Sequence, residues 1–140
     1  MMRLNKTASV LFASFTLSLL VLLPGCANVG KLATASGRPE VSIPNMTPQK
    51  VMDGLAAWLP AHGETIVETG EYTISAIFTR DSGIWRAPSR STFTIAQNGT
   101  NVSLYEATFP ISGDMEYKRQ EDYEVMQNEL TQIAEFIKGR

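Results

Sequence analysis

The chain has very little of the chemistry that common protein sites need. Its 140 residues contain one cysteine and one histidine, which excludes an internal disulfide and a zinc site built from several histidines. Lysine and arginine number 12 against 14 acidic residues, so nothing in the charge balance points to nucleic acid as a partner. A hydrophobic share of 44% argues against a disordered chain, and the length predicts one domain of ordinary size.

The first part of the chain has the pattern of a targeting segment. Arg3 and Lys6 make the start basic, and the stretch from Ala8 to Leu23 is almost wholly apolar. A basic start followed by an apolar run is typical of a secretory signal peptide. We therefore predict that this part of the chain directs export.

The apolar run ends in the motif Leu23-Pro24-Gly25-Cys26. This motif resembles the lipobox of bacterial lipoproteins. The resemblance implies that residues 1–25 are removed as a signal peptide, and that Cys26 becomes the first residue and carries a diacylglyceryl group. It also implies acylation of the new amino end, with palmitate as the typical chain. Each buried methylene contributes about 0.8 kcal/mol, so several acyl chains hold a protein firmly on a membrane.

A membrane-spanning signal anchor is the alternative interpretation of this segment. No charged residue occurs from Thr7 to Gly30, a stretch long enough to cross a hydrocarbon layer of about 30 Å. Pro24, Gly25 and the abrupt loss of apolar residues after Leu23 favour the lipoprotein interpretation.

The residue after the cysteine bears on localisation. In Gram-negative lipoproteins, Asp at this position tends to retain the protein at the inner membrane, and this chain has Ala27. The resemblance therefore implies a cell outer membrane protein that faces the periplasm. An inner membrane, or the cell membrane of a Gram-positive organism, stays an alternative.

The mature chain divides into a short linker and one domain. Residues 26–39 are predicted to form the lipidated N-terminus and a flexible tether, because Ala27 to Pro39 is rich in Ala, Ser, Thr and Gly. At about 3.3 Å per residue, this tether reaches roughly 40 Å when fully extended. Residues 40–140 are predicted to form a single α+β domain.

Two segments of this domain have the spacing of amphipathic helices. Thr47 followed by Pro48 is a typical helix start, with a hydroxyl cap and proline at the first helical position. Pro60 is expected to end this helix, and Gly63 to form a turn. The apolar positions on one face are Val51, Leu55, Trp58 and Leu59 in the first helix, and Tyr123, Met126, Leu130, Ile133 and Ile137 in the last.

The remaining segments favour strands. Gly70-Glu71 predicts a two-residue hairpin turn, and Asn98-Gly99 predicts a type I′ turn because both residues tolerate positive φ. Pro44 suits the end of a short edge strand. The predicted strands are 40–43, 64–69, 72–80, 91–97 and 102–109.

The order of these elements predicts an α+β fold, with an antiparallel four- to five-stranded sheet packed by two helices in the order β-α-β-β-β-β-α. This order resembles the helix-grip and TATA-binding-like plans, in which a curved antiparallel sheet packs a long C-terminal helix. Helix-grip domains occur in an accessory lipoprotein of the outer-membrane barrel-assembly machinery. Because one fold hosts many functions, the resemblance bears on architecture more than on activity.

Catalytic sets are scarce in the sequence. His62 is the only possible histidine base, no G-x-S-x-G surrounds any serine, and the lipobox commits Cys26 to lipid. We expect His62 to be a solvated capping or turn residue. Acidic residues offer the remaining chemistry, and we expect most of them to form a solvated face. The candidates are Glu64 and Glu68 on one strand face, and Glu121, Asp122 and Glu124 on the last helix.

Residues 81–90 are predicted to form a loop between two strands. Ile84, Trp85 and Arg86 stand in it, and an aromatic residue beside arginine is the composition of binding hot spots. These three are the predicted binding residues. Alternatively, Trp85 folds back and caps the open end of the sheet.

Together these features predict a non-enzymatic, lipid-anchored module that binds another envelope protein or serves in assembly. Its expected partners are the membrane, through the lipid, and an envelope protein, with no nucleic acid, cofactor or metal. Two alternatives stay open, a small hydrolase that acts on wall polymer or glycan through acidic residues, and a purely structural stability factor.

Overall fold

A computed structural model describes residues 29–82 and 85–140. The strands are β1 (Glu40–Ile43), β2 (Thr65–Thr69), β3 (Thr73–Ser82), β4 (Trp85–Asn98) and β5 (Asn101–Pro110), and the helices are α1 (Pro48–Ala61) and α2 (Gln120–Lys138). The chain order is β1-α1-β2-β3-β4-β5-α2, which confirms the predicted α+β class and element order. Within the described residues, no helix is both long and apolar enough to cross a membrane.

All five strands form one antiparallel sheet in the order β1-β5-β4-β3-β2. β1 pairs only with β5, in a register that sets Glu40 opposite Tyr105. The predicted edge position of β1, directly before Pro44, is therefore confirmed. Because β4 and β5 pair along ten consecutive residues, from Ser89–Pro110 to Asn98–Asn101, they form the centre of the sheet.

The core lies between one face of the sheet and the two helices. Phe93 and Ile95 are buried on this face, as the alternation in β4 predicts. The predicted apolar faces of both helices are buried as well. The largest fully buried side chains are Tyr123, Phe93, Ile43, Leu55, Leu59, Ile74, Leu104, Met126, Leu130, Ile133, Val51 and Val102.

The start of α1 follows the sequence prediction, and its end lies one residue further on. Thr47 caps the helix, its hydroxyl accepting from the Lys50 N–H at 3.3 Å, and Pro48 is the first helical residue. The helix passes Pro60 and ends at Ala61, because the His62 N–H still donates to the Trp58 and Leu59 carbonyls. Gly63 follows at φ 81°, a conformation that favours glycine.

Both predicted hairpin turns lie one residue later than expected. Asn98 pairs with Asn101, so the turn residues are Gly99, at φ 65°, and Thr100. Among the described non-glycine residues only Asn45 has a positive φ, so the predicted type I′ turn is wrong. Pairing through Asn98 places glycine at the first central position, which is where a type II′ turn requires it. The Gly70 N–H likewise donates to the Thr73 carbonyl at 2.8 Å, so that turn is centred on Glu71-Tyr72.

The predicted loop 81–90 is wrong, because β3 and β4 stay paired until Ser82 lies opposite Trp85. Towards the end of this hairpin, β4 pairs with β5 only as far as Ser89, and β3 pairs with β2 only as far as Ile77. The end of the hairpin therefore projects beyond both outer neighbours. Pro88 is tolerated within β4 because β5 no longer pairs with the strand past Ser89, and the Ile111 N–H donates to the Pro88 carbonyl at 3.4 Å, which needs no N–H from the proline.

The residues before β1 contact the domain. The Gly30 N–H donates to the Lys118 carbonyl at 2.6 Å, and the Lys31 N–H donates to Gln120 Oε1 at 2.8 Å. The Arg38 guanidinium forms an ion pair with Glu116. The described part of the predicted tether, residues 29–39, is therefore attached to the start of α2 and is not free.

Candidate functional site

The structure places two of the four predicted site residues. Cys26 and Ile84 lie outside the described residues. Trp85 and Arg86 are the first two residues of β4, opposite Ser82 and Asp81, near the end of the projecting hairpin. Partner contact by Trp85 and capping of the sheet by Trp85 both stay predictions.

Glu64, directly before β2, and Glu68, within β2, point to opposite sides of the sheet. The prediction that they share one face is therefore wrong. A β-bulge between Ile66 and Glu68 shifts the register, because it inserts one extra residue into the strand. Glu64 is consequently buried on the side where the helices pack, with 8% of its surface exposed, and Glu68 is exposed on the opposite face. Glu64 and Glu68 do not form a pair.

The acids at the start of α2 serve the helix itself. Asp122 is buried, and its Oδ2 accepts from the Arg119 N–H at 3.2 Å, which caps the first turn. Glu121 forms an ion pair with Arg119 at 3.3 Å, and Glu124 accepts from Gln120 Nε2 at 3.2 Å. These side chains do not converge on one point, and Asp122 is not part of a solvated face as the sequence analysis expected.

The structure brings together a pair of acids that the sequence analysis did not identify. Glu64 lies against Glu129 of α2. Burial, followed by the hydrogen bond with Glu129 and repulsion from its charge, raises the pKa of Glu64 to about 9. Glu64 is therefore protonated at neutral pH, next to a second carboxyl group with which it shares a proton.

This acid pair lines an open cavity of about 540 Å³ between α1, β3 and α2. His62 lies on the same cavity, with its ring stacked on Trp58 at a centroid distance of 3.8 Å. The His62 Nδ1 is 2.8 Å from the Trp58 carbonyl, and His62 caps α1 as the sequence predicts. A protonated carboxyl group such as that of Glu64, beside a second carboxyl group, can donate a proton, which is the chemistry of a general acid.

The face of the sheet that the helices leave uncovered carries a second cavity, of about 670 Å³, which we call the open-face groove. The Arg90 guanidinium lies over the Phe109 ring at 5.3 Å, and the Ser75 and Thr92 hydroxyls are 3.1 Å apart. The Arg90 Nε is buried and has no hydrogen-bond partner among the described residues. The lining side chains of its floor include Thr73, Ser75, Arg90, Thr92, Thr94, Tyr105 and Phe109.

In the part of the chain that the structure describes, no three His, Cys, Asp or Glu side chains are grouped so that they could hold a metal ion. The open-face groove offers hydroxyl, guanidinium and aromatic groups together with the carboxyl groups of Glu68 and Glu106, and the cavity of Glu64 offers carboxyl groups and an imidazole. The first set suits recognition by hydrogen bonds, and the second suits proton exchange.

Both sites had a partial signal in the sequence. Glu129 stands three residues after Met126 and four before Ile133, which places it beside the buried face of α2. Arg90, Thr92 and Thr94 alternate with the buried positions of β4, which predicts one common exposed face. The pairing of Glu129 with Glu64 depends on the bulge in β2, and no pattern in the sequence predicts this bulge.

A comparison with known protein families and with curated proteins finds no match to the chain.

Proposed function

We propose that the chain is a lipid-anchored lipoprotein of the cell envelope whose α+β domain is a non-enzymatic binding or assembly module. In this proposal Cys26 carries the lipid, and the module faces the periplasm from the outer membrane. The alternative is that the same lipid holds the protein on an inner membrane, or on the membrane of a Gram-positive cell. The lipobox motif supports the anchor, and the open-face groove is the observation that carries the binding role.

The groove has the composition of a recognition surface. Arg90 offers a charged group and a buried Nε donor without a partner, so a carboxylate, phosphate or carbonyl oxygen of a ligand gains a hydrogen bond there. Phe109 and Tyr105 add aromatic surface, and the threonine hydroxyls both donate and accept. Because Glu68 and Glu106 also line the groove, an envelope protein that presents neutral carbonyl groups to Arg90 fits this chemistry better than a strongly acidic one.

Site-specific crosslinking in cells tests the binding role. A photoreactive residue at Thr94, which is exposed in the groove, is expected to capture one partner protein, and Arg90→Gln is expected to abolish that adduct. The matched control is a photoreactive residue at Glu135, which is exposed on α2 on the opposite side of the sheet. Equal adducts from both positions, or an adduct that persists in a folded Arg90→Gln protein, would contradict the binding role. A probe at Trp85 tests the predicted hairpin contact in the same way.

The acid pair supports a second candidate function, a small hydrolase acting on wall polymer or glycan. Glu64 keeps its proton at neutral pH beside Glu129 in an open cavity, as a general acid requires. If the candidate is correct, purified protein degrades wall fragments, and Glu64→Gln abolishes turnover while Glu68→Gln preserves it. A folded wild-type protein without turnover removes this candidate.

Replacement of the lipobox cysteine tests the anchor. The Cys26→Ser variant has no thiol to acylate, so we expect it to incorporate no labelled palmitate and to keep residues 1–25 uncleaved. The control is Ser36→Cys in the same background, which restores a thiol outside the motif. Palmitate incorporation by Cys26→Ser itself would be incompatible with the lipobox assignment.

A further inference from the structure

Residues 29–39, which we call the N-terminal segment, are fixed to one end of the domain. Gly30 approaches α2 so closely that an added Cβ would lie 2.9 Å from the Gln120 Cα and 2.9 Å from the Tyr123 Cδ2. The hydrogen bonds from Gly30 and Lys31 to Lys118 and Gln120 add to this contact. The chain therefore leaves the domain at Val29, at the start of α2.

Little chain is left between this attachment and the predicted lipid. Only Ala27 and Asn28 separate Val29 from Cys26, so the two Cα atoms lie at most about 10 Å apart at 3.3–3.6 Å per residue. The headgroup region of one leaflet is about 5–7 Å deep. If Cys26 carries acyl chains buried in the hydrocarbon layer, Val29 lies at or just above the headgroups. A domain attached in this way has almost no freedom to move off the bilayer.

Several elements meet at this end of the domain. β1 starts here, where the Glu106 N–H donates to the Pro39 carbonyl at 3.4 Å. The Tyr117 N–H donates to the Thr108 carbonyl at 2.8 Å, which closes the connection from β5 to α2. The connection holds two large apolar side chains in water, Ile111 with 45% and Met115 with 79% of the surface exposed. Val29 is 50% exposed on the chain that leads to the lipid, and it lines a shallow cavity with Arg38 and Lys118.

The charges at this end balance. Glu116 is paired with Arg38 and lies 3.8 Å from Lys118, and Arg119 is paired with both Glu121 and Asp122. Lys31 and Asp114 add one charge of each sign. A surface without excess negative charge approaches an anionic bilayer without repulsion, whereas the acids of the whole chain outnumber its bases.

We propose that the domain sits directly on the bilayer, with Val29, Ile111 and Met115 in contact with the lipid headgroups and upper acyl chains. This membrane-contact surface rests on the proposed lipid anchor at Cys26. The occupant of the surface is the lipid bilayer itself, because the attachment brings it within about 10 Å of Val29 whether or not a protein partner is present.

Spin-label accessibility measures this contact. Because acylation consumes the single thiol of the chain, Met115→Cys in the lipidated protein accepts one nitroxide label. In phosphatidylethanolamine–phosphatidylglycerol vesicles, we expect the label at 115 to lose accessibility to a water-soluble nickel chelate and to gain accessibility to oxygen. The matched control is Phe136→Cys, an exposed apolar position near the other end of α2, which is expected to keep its accessibility in water.

The possible outcomes distinguish a failure of the proposed orientation on the bilayer from a failure of the proposed lipid anchor. A label at 115 that stays accessible to nickel while the protein floats with the vesicles overturns the membrane-contact surface and leaves the anchor intact. Dipolar broadening between labels shows instead that a second copy of the chain covers the surface. This result also overturns the proposed contact with lipid. A protein that carries no lipid and does not float contradicts the proposed function. Insertion of a long Gly-Ser linker between Asn28 and Val29 is expected to preserve flotation and restore nickel accessibility at 115.

Discussion

The Glu64→Gln variant is expected to remove most of the decline in stability that the wild-type domain shows as the pH rises. In the folded protein the pKa of Glu64 is about 9, raised from 4.5 chiefly by burial. The stabilisation from this group is therefore complete below about pH 4.5 and is lost as the pH rises through about 9. Between these values the unfolded chain has released the proton and the folded chain has kept it, so the free energy of unfolding falls by at most about 1.4 kcal/mol per pH unit.

Glutamine keeps the shape of the protonated acid and cannot ionise. The Glu64→Gln protein should therefore match the wild type at acidic pH and exceed its free energy of unfolding at alkaline pH. Urea unfolding across this pH range measures both curves. The control is Glu68→Gln, which is exposed on the other face of the sheet and should keep the slope of the wild type. If Glu64→Gln also keeps that slope, the proton is not held at this pair.

The second large effect is expected at Gly54, where the two helices approach each other. An added Cβ at Gly54 would lie 2.5 Å from Cγ1 and 3.0 Å from Cδ1 of Ile137, so a larger side chain forces α1 and α2 apart. Leucine gains about 0.8 kcal/mol over glycine in helix propensity, and overpacking of a core costs typically 1–3 kcal/mol. Because a whole leucine side chain finds no space there, the overpacking cost outweighs the propensity gain, and we expect Gly54→Leu to lower the free energy of unfolding by about 1–2 kcal/mol.

The matched control is Ala57→Leu, on the exposed side of the same helix. It changes the propensity of α1 little and meets no facing helix, so its free energy of unfolding should stay within about 0.5 kcal/mol of the wild type. Urea unfolding of both variants makes the comparison. A Gly54→Leu protein as stable as Ala57→Leu would show that the helices do not pack at this point.

The elements that the sequence predicts well are those determined by local periodicity. The apolar face of α2 follows from the spacing of Tyr123, Met126 and Leu130, and a helix of this length has only one way to bury such a face. Thr47 and Pro48 likewise act within one helical turn. The hairpins account for the neighbouring positions of β2, β3, β4 and β5, and Pro44 predicts the edge position of β1, whereas the pairing of β1 with β5 is not predicted by the sequence.

The features that local patterns do not predict depend on pairing between distant residues. Both hairpin turns lie one residue later, because the strand register, and not the turn residues alone, places Gly99 at its position of positive φ. The hairpin between β3 and β4 continues past Arg80, although Gly and Pro in the sequence favour a loop. The pair of Glu64 and Glu129 requires both the bulge in β2 and the packing of α2 over the sheet.

Mass spectrometry of the mature N-terminus tests the lipid anchor, the central claim of this account, most directly. The protein is extracted from membranes and digested with trypsin, which cleaves after Lys31 and releases the residues from the mature start to Lys31. We predict a peptide that begins at Cys26 and carries a diacylglyceryl group on its sulfur and an acyl chain on its amino group. A peptide with a free Cys26 thiol, or one that begins at Thr7 and runs through Cys26, would contradict the anchor.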